Sequence, residues 1–244
     1  MSIPKVIHYC WFGRGKMPPL AEKCIKSWQK YCPDCEIVCH TEDNFDVTGN
    51  RYAKEAYKAG KWAFVSDYAR LKIIYEQGGI YLDTDVELIK PIDDLLKTGG
   101  FMGFDDNGII ATGLGFAAEK GNELVGAFLK DYDDIPFVLE DGSYDLTPCT
   151  DRNTKTAQSL GMDLNKKEQT FMGIRFLPED YLCPMKYDTG KKIITKNTYS
   201  IHHFSASWTS ATAKRTTFVK RLIGVKLYKK LYGKILHKFK WLEW

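Results

Sequence analysis

The pattern of apolar and polar positions predicts helices and strands that alternate through the first ninety residues. Apolar residues recur at three- and four-residue steps in segments that begin at Pro19, Arg51 and Phe64, as in amphipathic helices. Strand-favouring runs separate them at residues 5–9, 36–39 and 80–82. Such alternation is typical of an α/β fold with parallel strands, in which ligands bind at the carboxyl ends of the strands.

The stretch from residue 63 to residue 87 carries the strongest signal. Its helix is followed by Gly78 and Gly79, a helix-ending pair, and by a short strand that leads to Asp83 and Asp85. Side chains two apart on a strand share a face, so both carboxylates would point at one ligand. Two such charges repel unless a cation lies between them, and Mg²⁺ or Mn²⁺ commonly joins protein carboxylates to substrate phosphates.

The helix before this strand carries Ser66, Asp67 and Arg70 on one stripe. A surface helix often carries such a trio. Its place directly ahead of Asp83 and Asp85 instead indicates a polar wall around an anionic ligand.

The strand before Asp83 is predicted to continue over residues 86–89. Further strands are predicted at residues 101–104, 109–118, 171–177 and 198–204, with helices at 122–132 and 153–160. The last strand ends in His202 and His203, and histidine is a common metal ligand. A second candidate metal site is the cluster Cys32, Cys35, Cys39 and His40, with zinc as its ion. Its spacing lacks a second Cys pair, and buried free thiols are the alternative.

Four motifs occur in one order along the chain. They are Ile3–Trp11, the Ser66-Asp67-x-x-Arg70 helix, Gly78–Asp85, and the His202–Trp208 segment. In this order the chain resembles glycosyltransferase family 32, the DXD sugar transferases. That family includes Golgi α-mannosyltransferases and bacterial capsule and lipopolysaccharide transferases, and it is distantly related to the glucosylating domains of large clostridial toxins.

The resemblance implies a GT-A fold of the α/β class over residues 1–213, as a single domain. It also implies retaining transfer of a hexose from a nucleotide-sugar to a glycan acceptor in surface polysaccharide synthesis. A UDP-sugar is the favoured donor, and GDP-mannose is the second candidate. The cofactor would be Mn²⁺ or Mg²⁺, held by Asp85 and by His203, which lies five residues before Trp208 as the family's closing motif favours.

The resemblance also assigns the other site residues. Asp83, Asp85 and Arg70 would act at the reaction centre, while Asp67 and Asp83 would hold ribose and sugar hydroxyls. The donor's binding residues would be Trp11, Ser66, Asp67, Arg70, Asp83, Ser207 and Trp208. Trp11 would stack on the base, although a core position for it is an equal alternative from the residues alone.

Two other functions fit parts of the pattern. A hydrophobic-Asp-x-Asp run also opens the motif of haloacid-dehalogenase-type phosphatases, with Asp83 as the nucleophile. That motif usually has Thr or Val where this chain has Glu87. The other alternative is a non-catalytic protein that binds membrane surfaces.

Charge is distributed unevenly along the chain. The formal net charge is +4, yet residues 214–244 hold ten Lys or Arg and one acid, Glu243. The basic balance therefore belongs to this tail and does not indicate a nucleic-acid surface on the body, so we expect no nucleic-acid partner. Apolar residues in the tail form one broad band, which predicts a basic amphipathic helix on an anionic membrane near a lipid-linked acceptor. Docking of this helix on the body is the alternative.

The sequence begins without a signal-peptide pattern and has no apolar run of the ~20 residues that span a bilayer. The seven cysteines are an odd number, as expected of reduced thiols. We therefore expect a cytoplasmic protein, peripheral on the inner face of the cell membrane.

Overall fold

The structure is a computed structural model, and it describes residues 3–97, 99–187, 189–205, 211–224, 227, 228 and 230. Its strands are β1 (Val6–Cys10), β2 (Glu36–His40), β3 (Gly79–Tyr81), β4 (Val86–Leu88), β5 (Gly100–Gly103), β6 (Phe116–Ala118), β7 (Gln169–Phe171), β8 (Ile174–Leu177) and β9 (Ser200–His202). Its helices are α1 (Pro19–Tyr31), α2 (Arg51–Lys58), α3 (Trp62–Gln77), α4 (Asp93–Leu96), α5 (Glu123–Lys130), α6 (Cys149–Ser159), α7 (Glu179–Leu182) and α8 (Ala211–Ile223).

Seven of these strands form one mixed sheet in the order β2-β1-β3-β6-β5-β8-β7. Strand β1 pairs in parallel with β2 and β3, and β5 pairs in parallel with β8. Strand β6 runs antiparallel to both β3 and β5. The predicted α/β class is confirmed, and the predicted parallel strands lie at the β1 end of the sheet.

Helix α3 and strand β3 are joined as the glycine pair predicts. Gly78 has φ +71°, and its amide donates to Ile74 O at 2.8 Å. A Cβ on Gly78 would lie 2.8 Å from Lys120 N, so this turn has no room for a side chain. The sharp reversal sends the chain straight from the helix into the middle of the sheet.

Three predicted strands were wrong in detail. Residues 86–88 do not continue β3, because the chain turns at Asp83, whose carbonyl accepts from Val86 N. They form β4 instead, which pairs antiparallel with β9 in a separate two-stranded sheet. The predicted strand 109–118 is reduced to β6, preceded by a single 3₁₀ turn at Thr112–Leu114. The predicted strand 171–177 is a hairpin that turns at Met172 and Gly173.

The core lies on both faces of the large sheet. Successive strand residues point to opposite faces, so Tyr81 and Met102 join one apolar cluster while Ile80 and Phe101 join the other. Helices α2, α3 and α5 cover the first face, and α1 covers the second. Within the described part of the chain, no helix is both long and apolar enough to cross a bilayer.

Candidate active site

A cavity of about 420 Å³ lies beyond the carboxyl ends of β1 and β3. Its walls come from the loops after these strands, from the first turns of α3 and α6, and from the segment after β9. The predicted site residues among its lining are Trp11, Ser66, Asp67, Arg70, Asp83 and Asp85. The structure therefore brings together residues from sequence motifs that lie far apart.

Arg70 forms the centre of one wall. Its Nη2 lies 3.1 Å from Asp67 Oδ1 and 3.0 Å from Asp83 Oδ1. Burial alone would lower the pKa of this guanidinium, but the neighbouring acidic groups, Asp83 first and Asp67 among them, together outweigh burial and raise this pKa. The Cys149 thiol lies 3.6 Å from Arg70 Nη1, which fixes the guanidinium on its other side. Arg70 is thus a permanent cation, 5% exposed at the side chain, at the cavity wall.

Asp83 is held by two donors and faces a glycine. Its Oδ1 accepts from Tyr81 Oη at 2.9 Å as well as from Arg70. Burial raises the pKa of Asp83, while the charge of Arg70 opposes this change. Its Oδ2 faces Gly113, where a Cβ would lie only 2.5 Å away. Gly113 therefore leaves space for the carboxylate.

Asp85 is held by the end of β9. Its Oδ1 lies 3.1 Å from His202 Nε2, and its Oδ2 accepts from Ser205 N at 2.8 Å. Burial favours a higher pKa for Asp85, but His202 and the Ser205 amide outweigh burial and lower this pKa. In turn, the carboxylate of Asp85 raises the pKa of His202 against the effect of burial. The carboxylate is therefore ionised at neutral pH.

The two histidines lie beside different carboxylates, and the predicted metal ligand is His203. Its Nε2 lies 2.8 Å from Glu87 Oε2, and Glu87 also accepts from Lys23 Nζ at 2.8 Å. His202 is the histidine that lies beside Asp85. Because β9 pairs with β4, neighbouring residues at its end point in different directions, and His203 points toward Glu87.

Asp83, Asp85 and His202 form the one group in the described residues that has the geometry of a metal site. One ligand atom from each lies within 4.8 Å of the others. His202 Nδ1 is buried and has no hydrogen-bond partner. Two carboxylates and an imidazole suit a divalent cation such as Mn²⁺ or Mg²⁺. These residues fit the predicted cofactor, with His202 in place of His203.

The other end of the cavity is aromatic. Trp11 lines it, partly exposed, with its Nε1 donating to Gly15 O at 2.7 Å. Trp62, the first residue of α3, lies against Gly13, where a Cβ would come within 2.5 Å of the indole. Trp62 is not among the site residues predicted from the sequence. Its signal was a bulky aromatic at the first helical position, after Gly60 and Lys61.

Other predicted residues have different outcomes. Ser66 lines the cavity, although its hydroxyl donates to Trp62 O within the helix. Ser207 and Trp208 lie outside the described residues, so their roles stay predictions.

Cys149 was not predicted as a site residue. Its signal in the sequence was weak, since it is a lone thiol after the Thr147-Pro148 turn. Its buried thiol contacts the Arg70 guanidinium.

The zinc alternative gains no support from the described residues. His40 Nε2 lies 3.0 Å from His8 Nδ1 in a buried pair, and Cys32, Cys35 and Cys39 are free thiols. These four residues do not converge on one point with metal-site geometry.

Comparison with known proteins agrees with this site. Residues 18–101 match the model of the family "Glycosyltransferase sugar-binding region containing DXD motif", and this segment includes Asp83 and Asp85. The chain is also 34% identical over 103 residues to inositol phosphoceramide mannosyltransferase 3 of Schizosaccharomyces pombe. Residues 18–101 therefore carry the sugar-binding region of the DXD-motif glycosyltransferases. The resemblance to family 32 is confirmed for this segment.

The match to the yeast protein is partial. It covers 39% of the present chain and 28% of the yeast mannosyltransferase. Among solved structures, the PaToxG glycosyltransferase is similar over 66% of this chain and 70% of its own, with a TM-score of 0.49 and 16% identity. A glycosyltransferase involved in glycosylation of the major capsid of PBCV-1 is similar over 87% and 97%, with a TM-score of 0.45 and 13% identity.

The family match leaves the phosphatase alternative without support. The same carboxylate oxygen of Asp83 binds both Arg70 and Tyr81, which holds Asp83 as a fixed acceptor.

Proposed function

We propose that this glycosyltransferase moves a hexose from a nucleoside diphosphate sugar to a glycan acceptor with retention of configuration. The observation that carries the proposal is the convergence of Asp83, Asp85 and His202 on a cavity with an aromatic opposite end. A nucleotide-sugar has a matching layout, with a flat base at one end and an anionic diphosphate at the other. Retention rests on the resemblance to family 32.

The acidic end suits the diphosphate only together with a cation. Asp83, Asp85 and His202 would hold Mn²⁺ or Mg²⁺, which when bound supplies Lewis-acid stabilisation of the leaving diphosphate. Arg70 adds a fixed positive charge to the same wall, and its two carboxylate partners hold its orientation. A preorganised cation of this kind costs no rearrangement as charge develops on the leaving group.

Sugar and ribose hydroxyls would bind the carboxylates around Arg70. Asp67 and Asp83 each pair with Arg70, and a carboxylate has enough acceptor sites to accept a further hydrogen bond from a hydroxyl. Trp11 and Trp62 would hold the base between aromatic surfaces. A UDP-sugar is the first candidate donor and GDP-mannose the second, and the mannosyltransferase name of the yeast relative favours testing both.

The acceptor would be lipid-linked, and the basic tail would hold the enzyme on the inner face of the cell membrane. Helix α8 lies at the start of this tail, and its Phe218 and Leu222 are 67% and 73% exposed. They are four residues apart and so lie on one side of the helix. Lys220 and Arg221 on the same helix would attract anionic headgroups, each worth about 1 kcal/mol. The yeast relative's name includes a lipid acceptor, inositol phosphoceramide, which agrees with this proposal.

The test is a donor panel with the purified full chain. Release of UDP or GDP is measured for matched UDP- and GDP-sugars with Mn²⁺, with Mg²⁺ and with excess EDTA, and Asp85→Asn serves as the inactive control. We expect Mn²⁺-dependent release from one donor class, and NMR of the product to show the donor's anomeric configuration. No release and no nucleotide binding across the panel would overturn the proposal.

A further inference from the structure

The segment after β9 is bent in an unusual way beside the proposed metal site. Phe204 has φ +49°, a conformation that bulky L-residues rarely adopt. The bend lets the next residue, Ser205, donate its amide to Asp85 Oδ2 at 2.8 Å, while His202 lies against Oδ1. Local strain of this kind persists only where surrounding contacts enforce it, and it is concentrated at functional sites.

Three rings run from this bend to the edge of the cavity. The Phe204 ring packs perpendicular to the His202 imidazole, with centroids 4.3 Å apart. On its other side, Phe204 meets Tyr187 edge-on at 5.4 Å. His202, Phe204 and Tyr187 all line the cavity, so the rings form part of its wall.

Helix α8 holds the outer end of this row. Arg221 donates to Tyr187 O from Nε at 3.2 Å and from Nη2 at 2.9 Å. Gly190, in the same hairpin as Tyr187, packs on the Arg221 side chain, because a Cβ there would lie 3.3 Å from Arg221 Cδ. The hairpin is closed by a hydrogen bond from Lys186 N to Lys191 O. Arg221 therefore fastens a loop whose inner face is Tyr187.

We propose that Phe204, Tyr187 and Arg221 form an aromatic brace that positions His202 and the Ser205 amide around Asp85. All three are positioning residues, since none has a ligand atom in the Asp83-Asp85-His202 group. His202 has one ring nitrogen against Asp85 and the other without a partner, so the Phe204 ring supplies orientation that hydrogen bonding leaves unfixed. This inference rests on the proposed function, because the brace serves a cation at that group.

The brace also joins helix α8 to the proposed metal site. The helix that carries Arg221 also exposes Phe218 and Leu222, the residues proposed to meet the membrane. The brace thus gives α8 a direct structural connection to His202, through two ring contacts and one pair of hydrogen bonds.

The test separates the ring of Phe204 from its backbone conformation. Phe204→Gly keeps the positive φ and removes the ring, whereas Phe204→Tyr keeps the ring. Binding of Mn²⁺ in the presence of UDP or GDP is measured from the EPR signal of free Mn²⁺, and thermal unfolding is recorded for every variant. We expect Phe204→Gly to weaken Mn²⁺ binding about tenfold, as loss of an outer-shell partner typically does, and Phe204→Tyr to restore it.

Arg221→Ala and Tyr187→Leu should produce smaller losses in the same direction, and they test the brace even where Phe204→Gly fails to fold. Arg51→Ala is the matched control, since it removes an exposed arginine bound to Glu55 on α2. It should leave Mn²⁺ binding unchanged.

Each contrary result has a distinct meaning. Wild-type Mn²⁺ affinity in Phe204→Gly, or in both Arg221→Ala and Tyr187→Leu, would overturn the brace alone. An equal loss in Phe204→Tyr and Phe204→Gly would also overturn it, because the ring would not be the feature that matters. A wild-type protein that binds no Mn²⁺ with either nucleotide would overturn the proposed function, and the brace with it.

Discussion

Gly113 lies directly against the carboxylate of Asp83, where a Cβ would come within 2.5 Å of Oδ2 and within 3.4 Å of Arg70 Nη1. The clash would fall on Asp83, which is held by Arg70 and Tyr81. Asp83 cannot move away from a Cβ without disturbing its pair with Arg70. Gly113, which has no side chain, therefore controls the geometry of the Arg70–Asp83 pair.

From this contact we predict that Gly113→Ala lowers kcat/KM by about tenfold to a hundredfold, because small displacements of reacting groups are costly. Steady-state nucleotide release measures the effect. Gly121→Ala is the control, since its φ of +74° strains the backbone while the space around it is open. Equal activity in wild type and Gly113→Ala would contradict the prediction.

Variants of His202 and His203 form a matched pair that tests the metal site. His202 lies beside Asp85, whereas His203 lies beside Glu87. We predict that His202→Ala raises the Mn²⁺ concentration needed for half-maximal activity by about tenfold or more, because losing a ligand should cost at least as much as losing an outer-shell partner. His203→Ala should have a much smaller effect. A larger effect at His203 would restore the choice made from the sequence.

Removal of the metal is a second test of the same site. Asp83 and Asp85 face one ligand position, so we expect excess EDTA to abolish activity and added Mn²⁺ to restore it. Asp85→Asn should lower kcat by about a hundredfold or more, with its unfolding transition close to that of wild type. Full activity in EDTA would exclude a metal-dependent reaction.

Loss of either tryptophan at the aromatic end of the cavity should weaken donor binding. Removing one stacking surface costs about 1–3 kcal/mol per base, so Trp11→Ala and Trp62→Ala should each raise the donor KM with a smaller change in kcat. Urea unfolding of the same variants separates binding from packing. A lower unfolding midpoint with an unchanged KM would identify the residue as structural.

The buried pair His8 and His40 predicts acid sensitivity. Burial, with a contribution from His40, lowers the pKa of His8 to about 4 from an ordinary value of 6.5. The unfolded chain therefore binds a proton in this range that the folded protein does not. The unfolding free energy should be constant above pH 6.5 and fall by up to roughly 3 kcal/mol toward pH 4.

Urea unfolding at several pH values measures this slope, and His8→Asn should reduce it. An identical slope in the variant would show that other groups cause the loss.

The exposed face of α8 predicts membrane binding. We expect the full chain to float with anionic vesicles at low salt, and the double variant Phe218→Ser and Leu222→Ser to float less. A chain that ends at Ala213 should stay in the soluble fraction, and neutral vesicles should recruit none of the three. Equal recovery of all three in the soluble fraction would contradict the membrane role.

Sequence alone predicted the parts of the site that are local. Helix α3, the Gly78-Gly79 turn, β3 and the two aspartates follow one another within about one helix and one strand. Their order and periodicity therefore define which side chains share a face. The family resemblance added Trp11 at the end of β1, and the structure places it in the same cavity.

Only tertiary structure decided the contacts that join distant segments. His202 instead of His203 follows from the pairing of β9 with β4 across more than a hundred residues, where a shift of one residue exchanges the faces. Trp62 and Gly113 join the site through close packing against Gly13 and Asp83. Periodicity records which face a side chain takes within its own element, and it carries no information about which element that face will meet.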